Sequence, residues 1–298
     1  MSRTDLSDLR LFAAIARFRS FRRAADEMSV STSALSHAIS KLERRLEVRL
    51  LHRTTRSVTP TEAGMLLLEG LTSGFSQIDG ALDQLNRFRD QPIGRIRLTA
   101  LRLSLGMLLD QLFPVLAERY PGIELEVSAD DRMVDLVAEG FDAGIRFGDT
   151  VPQDMVTVRL SPDLRWVIVG APSYFARHGR PREPGDLAGH QGIRGRSGNG
   201  RLYEWELGAA CDVHVSAPAV LCVSDPDASM RAAVAGVGLA YLPEEMVRPQ
   251  LADGRLEIVM PEWASPGAGF HLYYPSRRQL PAGVRILIDL LREIRPLG

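Results

Sequence analysis

The chain has 298 residues, of which 45% are hydrophobic and 24% are charged, and its formal net charge at pH 7 is -1. These proportions are typical of folded globular domains and argue against a disordered chain. The N-terminal segment lacks a basic region followed by an apolar run, and no stretch of about 18 uncharged apolar residues occurs, so we expect a cytoplasmic protein with no membrane partner.

The charge is distributed unevenly along the chain. Residues 1–60 contain 12 Lys and Arg against 6 Asp and Glu, whereas the remainder contains 24 against 31. A basic N-terminal segment attached to an acidic body indicates that only this segment meets a polyanion. A chance fluctuation of composition is the alternative.

Three helical patterns occupy the first 50 residues. Apolar residues recur at helical spacing over 6–17, which predicts a first helix there. Ser20 is a candidate N-cap of a short second helix, and Ser31 is the candidate N-cap of a third, whose apolar face runs from Ala34 to Leu46. A short turn between two helices is typical of a helix-turn-helix, in which the second helix of the pair enters the major groove of DNA. A plain three-helix bundle with a solvated polar face fits the helical pattern equally well.

Residues 51–60 predict two short strands around a basic turn, the pattern of a wing. Arginine on such a hairpin reaches phosphates or the minor groove. Solvated arginines on a surface hairpin are the alternative. The candidate DNA-binding residues are polar or basic and lie on the third helix and the wing: Ser31, Thr32, Ser33, Ser36, His37, Ser40, Lys41, Arg53, Thr54, Thr55 and Arg56.

A long helix is predicted after Thr61, its candidate N-cap. Its apolar residues advance by three and four positions, through Leu68, Leu71, Phe75, Ile78, Leu82 and Leu85. This spacing is typical of a coiled-coil seam and predicts a homodimer formed through the helix, with packing of the stripe on the chain's own core as the alternative. A two-fold dimer would present two recognition helices to a partly palindromic DNA site. Residues 91–94 form the expected hinge.

From residue 95 onward, strands and helices alternate, which predicts an α/β architecture. We expect strands over 95–99, 123–127, 141–147, 165–169, 220–223, 239–242 and 270–274, and helices over 103–120, 131–139, 225–235 and 280–294. Two lobes joined by crossing segments leave a cleft, and ligands lie beyond the carboxyl ends of strands and at helix N-termini. The candidate effector-binding residues occupy such places: Thr99, Arg102, Leu103, Ser104, Ser128, Asp130, Arg146, Phe147, Tyr203, Trp205, Ser224 and Asp225.

The charge of the effector follows from which of these side chains face the cleft. Arg102 and Arg146 suit a carboxylate, and the effector would then be an organic or aromatic acid. If Asp130 or Asp225 faces the cleft instead, the ligand should carry a hydrogen-bond donor or a positive charge. The residue types leave both alternatives open.

Motifs of enzymes and metal sites are missing from the sequence. Residues 195–199 fall short of a nucleophile elbow and residues 236–238 are too short for a dinucleotide fingerprint, so we expect no catalytic residue and no cofactor. Cys211 and Cys222 have no metal-ligand spacing, and the apolar run around Cys222 predicts a buried thiol rather than a redox switch. A transport solute-binding protein, the other alternative, would need an export signal and no basic wing.

The run DLRLFAAIARFRSFRRAADEMSVSTSALSHAISKLERRLEVRLLHRTTRSVTPTEAG resembles the DNA-binding domain of LysR-type transcription regulators almost position for position. Residues 94–298, with DLVAEGFDAGIRFG, AAVAGVGLAYLP and LYYPSRRQLP, resemble the family's effector-binding domain, whose fold is that of periplasmic solute-binding proteins. The recognition helix of the family usually reads Gln-Pro-Ala-Leu-Ser-Arg, whereas residues 32–37 read TSALSH. The DNA contacts therefore carry over as positions only.

The resemblance implies a DNA-binding transcription regulator controlled by a small-molecule effector bound between two lobes. It implies an all-α winged helix-turn-helix domain at 1–60, a linker and dimerisation helix at 61–90, and a two-lobed α/β effector-binding domain at 91–298. Lobe I would span about 94–162 and 269–298, and lobe II about 163–268. The implied partners are double-stranded promoter DNA, the effector, and further copies of the chain in a homodimer and a homotetramer.

Overall fold

The computed structural model describes residues 6–53, 58–84, 92–275 and 280–298. It divides into two compact units, one reaching to residue 85 and the other containing most of the remainder. The wing residues Thr54, Thr55 and Arg56, the linker position Leu85 and the hinge residue Gln91 lie outside the described residues, as do the side chains of Ser76 and of 79–84. No helix within the described ranges is both long and apolar enough to cross a membrane.

Three helices, a hairpin and a long helix form the first unit. They are α1 (Leu6–Phe18), α2 (Phe21–Glu27), α3 (Thr32–Leu46), β1 (Leu51–Arg53), β2 (Val58–Pro60) and α4 (Glu62–Gln84). Helices α2 and α3 begin where the sequence predicts, because the hydroxyls of Ser20 and Ser31 accept hydrogen bonds from the amides of Arg23 and Ala34. Strands β1 and β2 pair antiparallel, as expected of the wing.

The core of the first unit is built from the inward faces of its helices. Phe12, Ile15, Leu35, Ile39 and Leu42 have no solvent-exposed surface. Because these residues recur every three or four positions, α1 and α3 each keep one apolar stripe inside and leave the opposite face to solvent. The outward face of α3 is thereby fixed.

Part of the apolar stripe of α4 packs on the chain itself. Leu67, Leu68 and Leu71 are partly buried against the core of the first unit, and the guanidinium of Arg10 lies 5.4 Å from the ring centroid of Phe75. Packing on the chain's own core therefore holds in part for Leu68 and Leu71, whereas Ile78 of the same stripe is 42% exposed, and the dimer seam stays a prediction. A domain of about 60 residues has too little core of its own, and the first turns of α4 complete it.

Two mixed sheets, one two-stranded antiparallel sheet and flanking helices form the second unit. Its strands are β3 (Gly94–Ala100), β4 (Ile123–Ala129), β5 (Ala143–Phe147), β6 (Met155–Arg159), β7 (Leu164–Gly170), β8 (Gly192–Gly195), β9 (Trp205–Leu207), β10 (Val213–Val215), β11 (Ala219–Val223), β12 (Leu239–Pro243), β13 (Glu257–Val259), β14 (Ser265–Gly267) and β15 (Phe270–Pro275). The helices of this part of the chain are α5 (Arg102–Ser104), α6 (Asp110–Arg119), α7 (Leu136–Glu139), α8 (Pro172–His178), α9 (Pro226–Val234), α10 (Glu244–Ala252) and α11 (Ala282–Ile294).

Each mixed sheet combines parallel and antiparallel pairs. The first has the order β4-β3-β5-β15-β6, with β15 antiparallel to both of its neighbours. The second has the order β11-β8-β12-β7-β13, with β14 also pairing with β7. The chain leaves the first sheet after β6 and returns to it at β15, so two segments cross between the sheets.

The two crossing segments are tied to each other. The amide of Leu160 donates to the carbonyl of Phe270 at 2.8 Å, and the amide of Phe270 donates to the hydroxyl of Ser161 at 2.8 Å. A Cβ atom at Gly269 would lie 2.2 Å from the carbonyl oxygen of Pro162, so only glycine allows this approach. The lobes are therefore joined by a paired connection.

Two local predictions are wrong. The helix expected over 131–139 is helical only at Leu136–Glu139, because the carboxylate of Asp131 accepts from the amide of Arg102 and that of Asp130 from the amide of Arg132, each at 2.9 Å. Such side-chain bonds hold the backbone out of a helix. Cys222 is exposed rather than buried, because β11 is an edge strand of its sheet.

A buried histidine makes the stability of lobe II depend on pH. His190 packs with its Nδ1 atom 3.1 Å from the hydroxyl of Tyr174. Burial lowers the pKa of His190 below its usual 6.5, with His178 adding to the shift and Asp186 opposing it. The unfolded chain then takes up the proton first, so the stability contributed above about pH 6.5 is lost as the pH falls below that value.

We expect the urea midpoint of lobe II to decrease between about pH 7 and pH 5.5 in the wild-type chain. The variant His190→Gln should lose much of this decrease, whereas the exposed His214→Gln should keep it. An equal pH dependence in the His190→Gln chain would refute the assignment.

Candidate DNA-binding surface and effector cavity

The exposed face of α3 presents short polar side chains and basic ones. Thr32, Ser33, His37 and Lys41 are exposed, while the intervening Leu35 is buried in the core. Several of the predicted hydroxyls have local partners. The Ser31 hydroxyl caps the helix and lies 3.0 Å from that of Ser33, and the Ser40 hydroxyl donates to the carbonyl of Ser36 at 2.9 Å.

The wing strand β1 is fastened to α3 by Arg53. Its Nη2 atom lies 3.0 Å from Glu43 Oε2, its Nη1 atom lies 3.5 Å from Ser36 Oγ, and its guanidinium stands 5.2 Å from the ring centroid of Phe21. Arg53 is therefore a link between the wing and the recognition helix, with only part of its guanidinium open to a phosphate.

Glu43 is a key residue of this link that sequence reasoning missed. Its Oε1 atom accepts hydrogen bonds from the amides of Leu50 and Leu51, at 2.9 and 3.1 Å, while Oε2 holds Arg53. One carboxylate thus satisfies the first amides of the wing and its arginine. The only sequence signal is a lone acid in a basic helix, which a solvated position explains equally well.

A cavity of about 390 Å³ lies between the two mixed sheets of the second unit. Its wall includes five aromatic side chains: Phe147, Trp166, Tyr203, Trp205 and Tyr241. The ring centroid of Trp166 lies 5.2 Å from that of Tyr241 and 6.2 Å from those of Tyr203 and Phe147. The aromatic rings therefore form one continuous surface.

Burial keeps the hydroxyls of this surface uncharged. It raises the pKa of both Tyr203 and Tyr241 above the usual value of a phenol. The hydroxyl of Tyr241 also donates to the carbonyl of Glu206 at 2.6 Å and contacts the hydroxyl of Ser265. The aromatic surface thus presents apolar ring faces at neutral pH.

Arg146 places a positive charge in the wall of the same cavity. The side chain is 2% exposed, and its guanidinium donates to the carbonyls of Ile145 and Arg132 and to the hydroxyl of Thr99. Its Nε atom is buried and has no hydrogen-bond partner among the described residues. Burial lowers the pKa of Arg146, with Tyr273, Asp130 and Asp131 opposing the shift, yet arginine remains protonated at neutral pH.

Seven of the candidate effector residues line this cavity: Leu103, Arg146, Phe147, Tyr203, Trp205, Ser224 and Asp225. Thr99 and Ser104 are fully buried behind it, where Thr99 supports Arg146 and the hydroxyl of Ser104 donates to the carbonyl of Leu101. Ser128 and Asp130 are absent from its wall. For these four residues the geometry argues against direct contact.

Arg102 lies in the wall of another cavity, of about 540 Å³, and its guanidinium binds Asp131 at 2.9 Å. The positive charge of Arg102, which the sequence offers for a carboxylate, is therefore already paired in this structure.

Sequence reasoning missed Trp166 and Tyr241, which lie in the middle of the aromatic surface. The rule that ligands lie at the carboxyl ends of strands does not find Trp166, because Trp166 lies near the start of β7. Strand β7 runs antiparallel to β12, so Trp166 pairs with Pro243 at the end of β12. A loop at 195–199 also lines the cavity. Among the residues that the structure describes, no group of His, Cys, Asp and Glu could hold a metal ion.

A winged helix-turn-helix followed by two α/β lobes around an aromatic cavity defines a DNA-binding regulator that responds to a ligand. Residues 6–65 match the bacterial regulatory helix-turn-helix protein model of the lysR family, and residues 89–295 match the LysR substrate binding domain. The chain belongs to the LysR family of transcription regulators. It regulates transcription by binding DNA through its helix-turn-helix, under the control of an effector bound by its C-terminal domain, and the family is not one of enzymes.

Similar proteins cover nearly the whole length of the chain. The HTH-type transcriptional regulator YcaN of Escherichia coli strain K12 is 39% identical, over 97% of this chain and 95% of that protein. The regulator PgrR of the same strain is 36% identical over 98% of both. The solved structure of CrgA, a LysR-type regulator from Neisseria meningitidis, aligns over 98% of this chain and 99% of that one, with 26% identity and a TM-score of 0.61. The family and fold predicted from the sequence are confirmed.

Proposed function

We propose that the N-terminal half of α3 reads the major groove and that the wing at β1 and β2 contacts the DNA backbone or the minor groove. The observation that carries this proposal is the exposure of Thr32, Ser33, His37 and Lys41 on a helix whose opposite face is buried. The boundaries 1–60, 61–90 and 91–298 divide the DNA-binding, linker and effector-binding parts. As a regulator of bacterial promoters, the protein acts in the cytoplasm.

We infer that the chain forms a homodimer through α4 and that two dimers form a tetramer. The family forms oligomers. Leu68 and Leu71 are partly buried against the chain's own core, whereas Ile78 of the same stripe is 42% exposed and is available to a second copy of α4. The heptad spacing of the stripe supports a contact between two such helices.

We propose that the effector is an aromatic acid. The five aromatic side chains offer ring faces for stacking, and Arg146 offers a buried positive charge for a carboxylate. Three hydrogen bonds leave some of the five N–H groups of a guanidinium available. A cationic ligand is disfavoured because Asp130 already pairs with Arg132, and Asp225 caps α9 and lies 3.5 Å from Arg231.

The DNA-binding proposal is tested with the full chain and a duplex of the gene's own upstream region. We expect the affinity to fall by about a thousandfold or more between about 50 and 200 mM salt, because phosphate neutralisation releases counterions. Ser33→Ala and His37→Ala should change which sequence is preferred, by about tenfold at the affected base pair. Arg53→Ala should weaken binding to all sequences.

Arg119→Ala serves as the matched control, because Arg119 is an exposed, ion-paired arginine of the second unit. Its affinity should equal that of the wild-type chain. If Ser33→Ala, His37→Ala and Arg53→Ala all bind as the control does, the placement of the DNA-binding surface is wrong.

A further inference from the structure

The loop of residues 196–202 in lobe II has a compact shape of its own. Arg196 and Leu202 form an antiparallel bridge at its base, and the amide of Ser197 donates to the carbonyl of Arg201 at 2.8 Å. Inside it, the hydroxyl of Ser197 lies 2.7 Å from Asn199 Oδ1, which also accepts from the amide of Arg201 at 3.0 Å. These bonds hold the loop in one internal conformation.

The tip of this loop touches lobe I. A Cβ atom at Gly198 would lie 2.1 Å from the carbonyl oxygen of Asp131 and 2.5 Å from the amide nitrogen of Arg132. No side chain fits there, because the neighbouring atoms are backbone atoms. Gly198 does not have a positive φ, so the contact alone, and not the backbone conformation, requires glycine.

The segment that receives the loop is held rigidly. The carboxylate of Asp131 accepts from both the amide and the Nη1 atom of Arg102, each at 2.9 Å. The carbonyl of Arg132 accepts from Nη2 of Arg146, also at 2.9 Å. Arg146, which carries the buried positive charge in the cavity wall, therefore also binds the segment on which the loop rests.

We propose that residues 196–202 form a lid that completes the effector cavity when Gly198 rests on Asp131 and Arg132, and that the lid must lift for an effector to leave. Gly195, Ser197, Gly198 and Asn199 all line the cavity, so the resting lid is part of its wall. Because Arg146 contacts both the cavity and the resting surface, an effector that engages Arg146 acts on the lid as well. The proposal rests on effector binding in this cavity, but the contact of the lid can be tested without a ligand.

The test compares Gly198→Ala with Gly189→Ala in the full chain. Gly189 lies in the same lobe with no atom within 4 Å of an added Cβ, so it is a matched control. Hydrogen exchange followed by mass spectrometry should show that the amides of 196–202 and 130–133 exchange at least about fivefold faster in Gly198→Ala than in the wild-type chain. A fivefold change corresponds to the smallest free-energy cost expected of such a steric clash. Gly189→Ala should match the wild-type chain in both segments.

The second readout is the release of 1-anilinonaphthalene-8-sulfonate, an aromatic anion, from the chain. Its dissociation should be at least about fivefold faster from Gly198→Ala than from Gly189→Ala. Ser197→Ala, which adds no atoms and removes bonds within the loop, should shift both readouts in the same direction if Gly198→Ala fails to fold.

The outcomes separate the lid from the site. Unchanged exchange in both variants overturns the lid, whatever binds. Faster exchange with unchanged dye release shows a contact that does not retain ligand, which also overturns it. If exchange is faster in Gly198→Ala but the wild-type chain binds no dye, the result supports the lid contact and counts only against the aromatic-acid proposal.

Discussion

Replacing Arg146 by methionine should abolish the thermal stabilisation of the full chain by aromatic acids. Benzoate and salicylate serve as probes, and their amides serve as uncharged controls of nearly the same shape. A ligand that binds only the native state raises the melting temperature according to its affinity. Because Arg146 supplies the buried positive charge in the cavity wall, its loss should weaken carboxylate binding by about a hundredfold, within the range for charge-assisted hydrogen bonds.

The same substitution should lower the free energy of unfolding only moderately, by about 1–3 kcal/mol. Two opposing effects produce this value. The carbonyls of Ile145 and Arg132 and the hydroxyl of Thr99 lose a donor, which is unfavourable, whereas removal of a buried cation relieves a desolvation penalty. Arg146→Lys keeps the charge but not the planar donor set, and it should retain part of the acid response.

The comparison of acids with amides decides the effector class. If benzoate and benzamide stabilise the wild-type chain equally, and Arg146→Met leaves both effects intact, the aromatic surface alone binds the ligand and the acid proposal is wrong. DNA affinity measured without a probe should be the same for the wild-type and Arg146→Met chains.

Local rules predicted the first unit well, because its elements depend on nearby residues. The caps Ser20 and Ser31 and the apolar spacing through Leu35 and Ile39 set the helices wherever the chain then packs. The linker stripe was predicted less well, because a heptad pattern does not say which partner covers each of its residues. Leu68 and Leu71 meet the chain's own core, and only the assembled domain shows this.

The effector cavity was predicted in part, and the misses have a common cause. Phe147 and Ser224 follow from the rule about strand ends, whereas Trp166 enters the wall through antiparallel pairing between strands far apart in sequence. The rule about strand ends also predicts effector contact for Thr99 and Arg102, whereas the partner that each side chain takes depends on Arg146 and Asp131 in other segments. Such pairings are tertiary and leave no periodic signal.

Replacing Glu43 by alanine should destabilise the first unit strongly. The amides of Leu50 and Leu51, both on buried residues, would lose their acceptor, and Arg53 would lose its ion pair. Two buried amides without acceptors correspond to about 2–4 kcal/mol of unfolding free energy. Since the wing is fastened to α3 through this carboxylate, DNA affinity should fall as well.

Two further variants separate the role of the carboxylate from that of its charge. Glu43→Gln keeps a carbonyl oxygen for the two amides and removes the charge opposite Arg53, so it should lose roughly half of the stability lost by Glu43→Ala. Glu69→Ala, an exposed change on α4, should stay within about 0.5 kcal/mol of the wild-type chain. Hydrogen exchange at Leu50 and Leu51 gives the sharpest measurement, because those amides should exchange much faster in Glu43→Ala. If their protection is the same in Glu43→Ala as in Glu69→Ala, Glu43 does not hold the wing. The contacts of Arg53 with Phe21 and Ser36 would then be what fastens the wing to the helices.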